Sequence, residues 1–374
     1  MRTVLLYVFG ILPIFLPQPS LVAQFSCSGR ACEALPSDLT STTNSTFTNF
    51  ENQYLKEILK TNLEASYLSN VGAGSIGSGN VRRIQIGGSF SVAGYKKADI
   101  VLESNSLRIP DLPNVGVGLS PALTLDLNIG WVLGFEEKHW LRKMGVFLHG
   151  MQVAVHQGNF QKANPDSNST GRVAMKNFGA TVRYRILDKQ GFFLNSVVWN
   201  GLNLGVGHHQ SQMDLDISYR DESATKVETR GLQGRWGGSN DFGFFTKSRT
   251  TNVDVRTGIG LFWVMDLVLG AGYAWNTGDS SVSLNRSGPF AISPSGAPLS
   301  DLPSNFSTTD PNLGRGVLNG ELGLSARGNS NVRRNLGYGI VGLEFDIYLV
   351  KVIFEGIYGG KDLYSANAGV KISL

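Results

Sequence analysis

A two-residue hydrophobic period, repeated along most of the chain, limits its fold more than any other feature. Tyr364, Ala366, Ala368, Val370, Ile372 and Leu374 alternate with Ser365, Asn367, Gly369, Lys371 and Ser373 up to the last residue. Alternation of this kind places every apolar side chain on one face of a strand. The same pattern runs through Ile84, Ile86, Phe90 and Val92, through Phe178 to Ile186, through Val253 to Trp263, and through Leu267 to Trp275. Its longest predicted run extends from Val115 through Leu119, Leu123, Leu127 and Ile129 to Trp131 and Leu133. A strand at Leu363 to Leu374 needs partners or leaves an exposed edge, and closing a barrel supplies them.

The other face of these strands separates a membrane barrel from a soluble sandwich. A sandwich turns its polar face to bulk water and fills it with Lys and Glu. Here that face carries mostly Gly, Ser, Thr and Asn, and the chain holds 46 glycines, above the usual share of about 7%. Such a face suits a confined polar lumen. Short turns are expected at 188–190, 264–266 and 348–350, and long polar connections at 159–171, 221–250 and 285–334. With both barrel ends on one side, all the short turns fall together and all the long connections fall opposite, as in outer-membrane barrels. The expected fold is therefore all-β, a closed antiparallel transmembrane β-barrel with a short N-terminal amphipathic helix. The walk along the chain gives about ten strands, or twelve if part of the 211–250 or 97–108 region also crosses, so about 10 to 12 strands and at most about 14 are expected. Trp131, Trp199, Trp263, Trp275, Tyr184 and Tyr273 are candidates for aromatic girdles.

The N-terminus divides the chain further. Arg2, the apolar core Val4 to Leu16 and the small residue before Gln24 make residues 1–23 a secretory signal peptide. Residues 24–46, rich in Ser, Thr and Asn, are expected as an exposed lead segment. Within it Cys27 and Cys32 either close a small disulfide or leave Cys27 for acylation. Residues 47–80 are expected as a helix opened by a Thr48/Glu51 capping box, carrying Leu55, Ile58, Leu59 and Leu63, and ended by a glycine-rich linker. That unit is a plug or a periplasmic cap, and residues 81–374 form the barrel.

Candidate lumen-facing charges are Asp126, Arg183, Arg185, Asp254, Arg256, Glu344 and Asp346. In a barrel between eight and sixteen strands such groups either pair and fill the interior or line a solute path. Trp236, Phe242, Phe244 and Phe245 are candidate contact residues within the long 221–250 connection. His208 and His209 are strand neighbours that point to opposite faces, and no hydrolase, metalloprotease or phosphate-loop motif is present. No enzyme activity, cofactor or metal is expected. The net charge of +4 is dispersed, so nucleic acid is not an expected partner.

The signal segment, the two-residue period and the strand at Leu363 to Leu374 resemble bacterial outer-membrane barrels, with one departure. Such barrels commonly end in Phe or Trp, and this chain ends in Leu374. The segments 49–60 (NFENQYLKEILK), 255–262 (VRTGIGLF) and 361–371 (KDLYSANAGVK) are similar to a family of spirochaetal, leptospira-type surface proteins. The resemblance implies a bacterial outer-membrane location with surface-exposed loops, and as partners outer-membrane lipid and the barrel-assembly machinery. It further implies an adhesin binding host matrix proteins or plasminogen, beside the reading that the small strand count, the opposed lumen charges and the N-terminal helix support, a narrow or plugged porin-like pore for small or apolar solutes. No site residue carries over from it.

Overall fold

The computed structural model describes residues 24–104, 107–155, 169–192, 196–221, 224–229, 232–293, 299, 306 and 316–374. The signal segment and most of the 159–171 connection lie outside the described residues. Ten antiparallel strands form one ring: β1 Ile84–Lys96, β2 Val115–Asn128, β3 Met144–Val155, β4 Ser169–Leu187, β5 Val197–Arg220, β6 Ser239–Leu261, β7 Met265–Ser293, β8 Leu318–Ile347, β9 Val350–Tyr358 and β10 Leu363–Ser373. Each pairs with the next, and β10 closes on β1 from Leu363 opposite Tyr95 to Ser373 opposite Gln85. Segment 97–108 does not add a crossing. Ile100–Ser104 pairs with Leu107–Leu112 as a separate ribbon above the rim.

The ring is inverted relative to a water-soluble domain. Leu123 is 67% exposed on its outside while Arg183 is 1% exposed on its inside. Phe90, Val117, Phe178, Val206, Val341 and Phe354 also face outward, whereas Ser91, Ser120, Thr181, Asn203, Thr250 and Asn367 are buried within. Only lipid makes that arrangement favourable, since each strand then satisfies its backbone within the closed ring and presents apolar side chains to hydrocarbon. Tyr273 and Trp275, in edge-to-face contact, and Tyr358 and Tyr364 edge this outer belt.

Three expectations about the strands and their connections need correction. The alternating run does not continue to Leu133, because the Asn128 side chain accepts from the Trp131 backbone N–H at 2.9 Å and starts a helical turn over Ile129–Val132. The connections are not fully sorted by length, since 129–143 lies at the short-turn end and the brief 359–362 link at the other. Finally, much of the supposed loops 221–250 and 285–334 is strand. β7 and β8 run for 29 and 30 residues and pair from Met265 opposite Phe345 to Ile292 opposite Leu318, well beyond the roughly 9–11 residues that cross a bilayer.

The segment ahead of β1 runs through the ring. Gln24–Ser28, expected as unstructured lead, pairs with β8 at Glu321 to Ser325 on the extended wall. Cys27 and Cys32 are disulfide-bonded beside it. A helix over Leu39–Asn49, a π-helical turn over Phe50–Leu55 and a helix over Lys56–Gly72 then descend into the lumen. The capping box does not form: Thr48 donates to the Asn44 carbonyl, and Glu51 accepts from the Arg327 backbone N–H at 2.5 Å.

Candidate functional site

The lumen is the place where this architecture concentrates chemistry, and the helix Lys56–Gly72 fills its middle. Small residues let it approach. A Cβ at Gly116 would lie 2.3 Å from the Thr61 carbonyl oxygen, and one at Gly118 would lie 2.6 Å from the Ser66 backbone. Polar side chains then tie the helix to the wall: Thr61 to Asn114 at 2.6 Å, Ser69 to Ser120 at 3.0 Å, Asn70 to Ser248 at 2.9 Å, and the Tyr67 hydroxyl to the Val332 carbonyl at 2.7 Å. Ala65, Leu68 and Val71 pack on an apolar patch of Ala274, Leu336, Ile340 and Ile357. Glu64, buried on the helix, pairs with Arg334 and, at 3.0 Å, with Lys97.

Below the helix, residues 73–81 meet a belt of charge. Arg183 on β4 pairs with Asp254 on β6, whose carboxylate also lies 3.6 Å from Arg256. Arg256 pairs in turn with Glu355 on β9, Lys351 with Glu344, and Lys371 on β10 with Asp126 on β2 at 2.7 Å. The plug tail supplies further partners, though Arg183 Nε and Nη1 find none among the described residues. Ser78 N–H donates to Glu344 at 2.9 Å, Gly77 N–H to Glu355 at 3.2 Å, Arg256 to the Gly77 carbonyl at 3.1 Å and Lys371 to the Gly74 carbonyl at 3.1 Å. Such buried charges persist only when paired and hydrogen-bonded on several sides. The belt and residues 73–81 together occupy the lower lumen.

Of the seven charges picked from sequence, Asp126, Arg183, Asp254, Arg256 and Glu344 lie in this belt. Arg185 sits lower and donates to the Asn80 side chain at 3.0 Å, and Asp346 lies at the mouth, 3.6 Å from Lys351. Lys351, Glu355 and Lys371 were missed, although each has the inward parity of its strand. A further pair was not visible at all: His149 on β3 and His209 on β5 stack with ring centroids 5.1 Å apart. Gly179 on the intervening β4 makes the space, since a Cβ there would come within 2.7 Å of both rings.

Above the helix the lumen changes character. A cavity of about 470 Å³ lies between the helix residues Leu55, Ile58 and Leu59 and the wall residues Met151, Met213 and Phe244. Phe242 and Phe244 thus are not loop residues. They lie on β6, on its inward parity, and pack with Phe50, Tyr54 and Leu284 around Leu55 and Leu59. Phe245 lies on the opposite parity of the same strand. Trp236 ends the strand Leu232–Trp236, donates to the Leu322 carbonyl at 3.1 Å and lies under the Arg286 guanidinium, 4.5 Å from the ring centre. Phe242, Phe244 and Trp236 thus support the extended wall from within, while Phe245 lies on its outer face.

The fold and its filled bore define an antiparallel transmembrane β-barrel with an internal N-terminal plug. Residues 20–374 match the Lsa36-like family, and the chain belongs to it. No curated protein matches the chain. Among solved structures, it is similar to the translocator domain of the autotransporter NalP from Neisseria meningitidis, with 10% identity over 79% of this chain and 90% of that one, at a TM-score of 0.34. The toluene transporter TbuX of Ralstonia pickettii matches with 7% identity over 82% and 92% of the two chains, at a TM-score of 0.21. A Pseudomonas aeruginosa FadL homologue matches with 8% identity over 78% and 90%, at a TM-score of 0.23.

Proposed function

We propose that this protein is a non-enzymatic outer-membrane barrel, closed to free diffusion, that holds small apolar solutes in its upper lumen. The observation that carries this reading is the division of the bore. A paired charge belt and the plug tail seal one end, while the other holds an apolar cavity within the roughly 300–1,000 Å³ typical of small-molecule sites. A diffusion porin needs the reverse, a continuous water-filled path. With the short turns on the periplasmic side, the cavity lies toward the outer leaflet and the extended wall of β5 to β8 stands above the membrane.

Planar-bilayer recording and a neutral apolar dye test the reading together. Wild-type protein should give no discrete steps and should bind N-phenylnaphthylamine, and deletion of residues 47–70 should produce steps and abolish dye binding. Large ion-selective steps from the intact protein would overturn it.

A second reading is favoured by a different observation. The wall of β5 to β8, stapled by Gln24–Ser28 and the hairpin of Thr225–Thr229 with Leu232–Trp236, presents a long polar sheet beyond the apolar belt. That surface suits a protein ligand such as a host matrix protein or plasminogen. Trimming the wall beyond Phe242 and Leu284, above the last residues that line the cavity, should abolish such attachment and leave dye binding intact.

A further inference from the structure

The ring is closed by ten pairings, but one of them is short. β2 pairs with β3 only from Leu123 opposite Gly150 to Asn128 opposite Gly145, although β2 begins at Val115 and β3 runs on to Val155. On its other edge β2 stays paired with β1 along its whole length. The strands therefore separate just above Leu123.

Pro121 stands at the point of separation. Proline has no N–H to give a ladder and is found where a strand becomes an edge. Two of the backbone groups freed on that edge are taken by side chains. Asn177 donates to the Pro121 carbonyl at 3.2 Å, and the plug residue Asn62 accepts from the Val117 N–H at 2.9 Å. Those two contacts stand in for part of the ladder that β3 would have supplied.

The upper cavity and a hollow on the outside of the barrel meet at this seam. Val117, Leu119 and Pro121 line the cavity, although Val117 and Leu119 lie on the lipid-facing parity of β2. A second hollow of about 560 Å³ lies around Leu123, Gln152 and Phe178, and the two share Met151, Lys176 and Asn177. Lys176 is exposed there and makes no ion pair among the described residues. A cation at the mouth of an apolar cavity, beside a lipid-facing gap, matches the two ends of one kind of molecule.

We propose that the β2/β3 seam is a lateral port through which an amphiphile with a single alkyl chain and an anionic headgroup passes between the outer leaflet and the upper cavity. The chain occupies the cavity and the carboxylate or phosphate meets Lys176. This rests on the apolar-solute reading above and adds the route and the headgroup.

The test uses full-length protein in lipid nanodiscs, with fluorescent cis-parinarate as the anionic chain, a fluorescent lysophosphatidate as its phosphate counterpart, and neutral N-phenylnaphthylamine. Lys176→Glu should weaken at least one anionic probe by about tenfold or more, the loss expected for a charge-assisted contact, while neutral dye binding is unchanged. Which anionic probe responds assigns the headgroup. Both native cysteines are in the disulfide, so Gln152→Cys offers a single free thiol at the outer hollow. A bulky maleimide there should slow uptake of every probe relative to the same variant left unlabelled. Equal effects of Lys176→Glu on charged and neutral probes, or uptake indifferent to the adduct, would overturn the port while leaving the cavity reading in place. Failure of every probe to bind wild-type protein would instead sink the cavity reading itself.

Discussion

The lower and upper halves of the lumen are built from the same strands and filled by the same N-terminal segment, yet they obey different physics. In the lower half Asp126, Arg183, Asp254, Arg256, Glu344, Lys351, Glu355 and Lys371 are all buried, and each has an opposite charge within reach. In the upper half Met151, Met213, Leu215, Phe244 and Val282 surround open space. A charged interior has to be filled, because an unpaired ion out of water costs several kcal/mol. An apolar interior can remain hollow at smaller cost, since its lining loses only dispersion contacts. The plug segment reflects the same split, with backbone and polar groups offered below and Leu55, Ile58 and Leu59 above.

The sharpest way to break this contrast is to unbalance the belt. Asp254→Ala removes the carboxylate shared by Arg183 and Arg256 and should destabilise the barrel by about 3–5 kcal/mol, the usual effect of leaving a buried charge without its partner. Urea titration of the refolded protein in detergent measures it, and a loss below about 1 kcal/mol would mean that water already reaches the belt.

Overpacking the helix contact comes next. Gly118→Val places side-chain atoms where the Ser66 backbone lies, at a cost of about 1–3 kcal/mol. The helix should shift away from β2, so that intermittent conductance steps appear in bilayers. A silent variant of unchanged stability would show that the helix does not determine the seal.

The cavity should tolerate change better. Phe244→Ala truncates a side chain that already borders empty space, so its effect should fall below the roughly 3–5 kcal/mol of a fully packed aromatic. Dye binding should nonetheless weaken or change in stoichiometry. A loss as large as that of Asp254→Ala would erase the distinction between the halves.

The smallest effect belongs to the disulfide. Replacing Cys27 and Cys32 by Ser opens a loop that spans five positions on the extended wall, remote from both halves. Barrel stability should change by no more than about 0.5 kcal/mol, while protease cleavage near Arg30 should accelerate. A tag placed before Gln24 should be reachable on intact cells, because the strand Gln24–Ser28 lies at the opposite end of the lumen from Leu374.

Most of the ring could be read from the chain alone. Its period of two fixed which side chains of β1, β4, β6, β7 and β10 face lipid and which face inward, because adjacent strand residues cannot share a face. The walk with both barrel ends on one side also favoured ten crossings. Polar segments with no apolar alternation were harder: Phe242, Phe244 and Trp236 looked like loop residues because above the membrane the outer face of β6 meets water. There a strand keeps its ladder but loses the contrast that marks it in sequence. The plug was legible as a helix, and its place in the lumen was not.

Only the tertiary structure decided who meets whom. Parity assigns Arg183, Asp254 and Glu355 to the interior, but their pairing depends on the relative stagger of β4, β6 and β9, which is set by the register of the whole closed ring. The stacking of His149 on His209 depends on a glycine of a third strand, a relation that no local spacing encodes. The seam is the clearest case. Pro121 sits inside an alternating run and reads as a blemish in a strand, and it becomes an opening only because β3 turns away where the ladder has lost a donor and Asn62 and Asn177 take up two of the freed backbone groups. Sequence determines the face each side chain presents, because that is a property of one strand. Pairing, filling and opening belong to many strands at once and are fixed only when the ring closes around its plug.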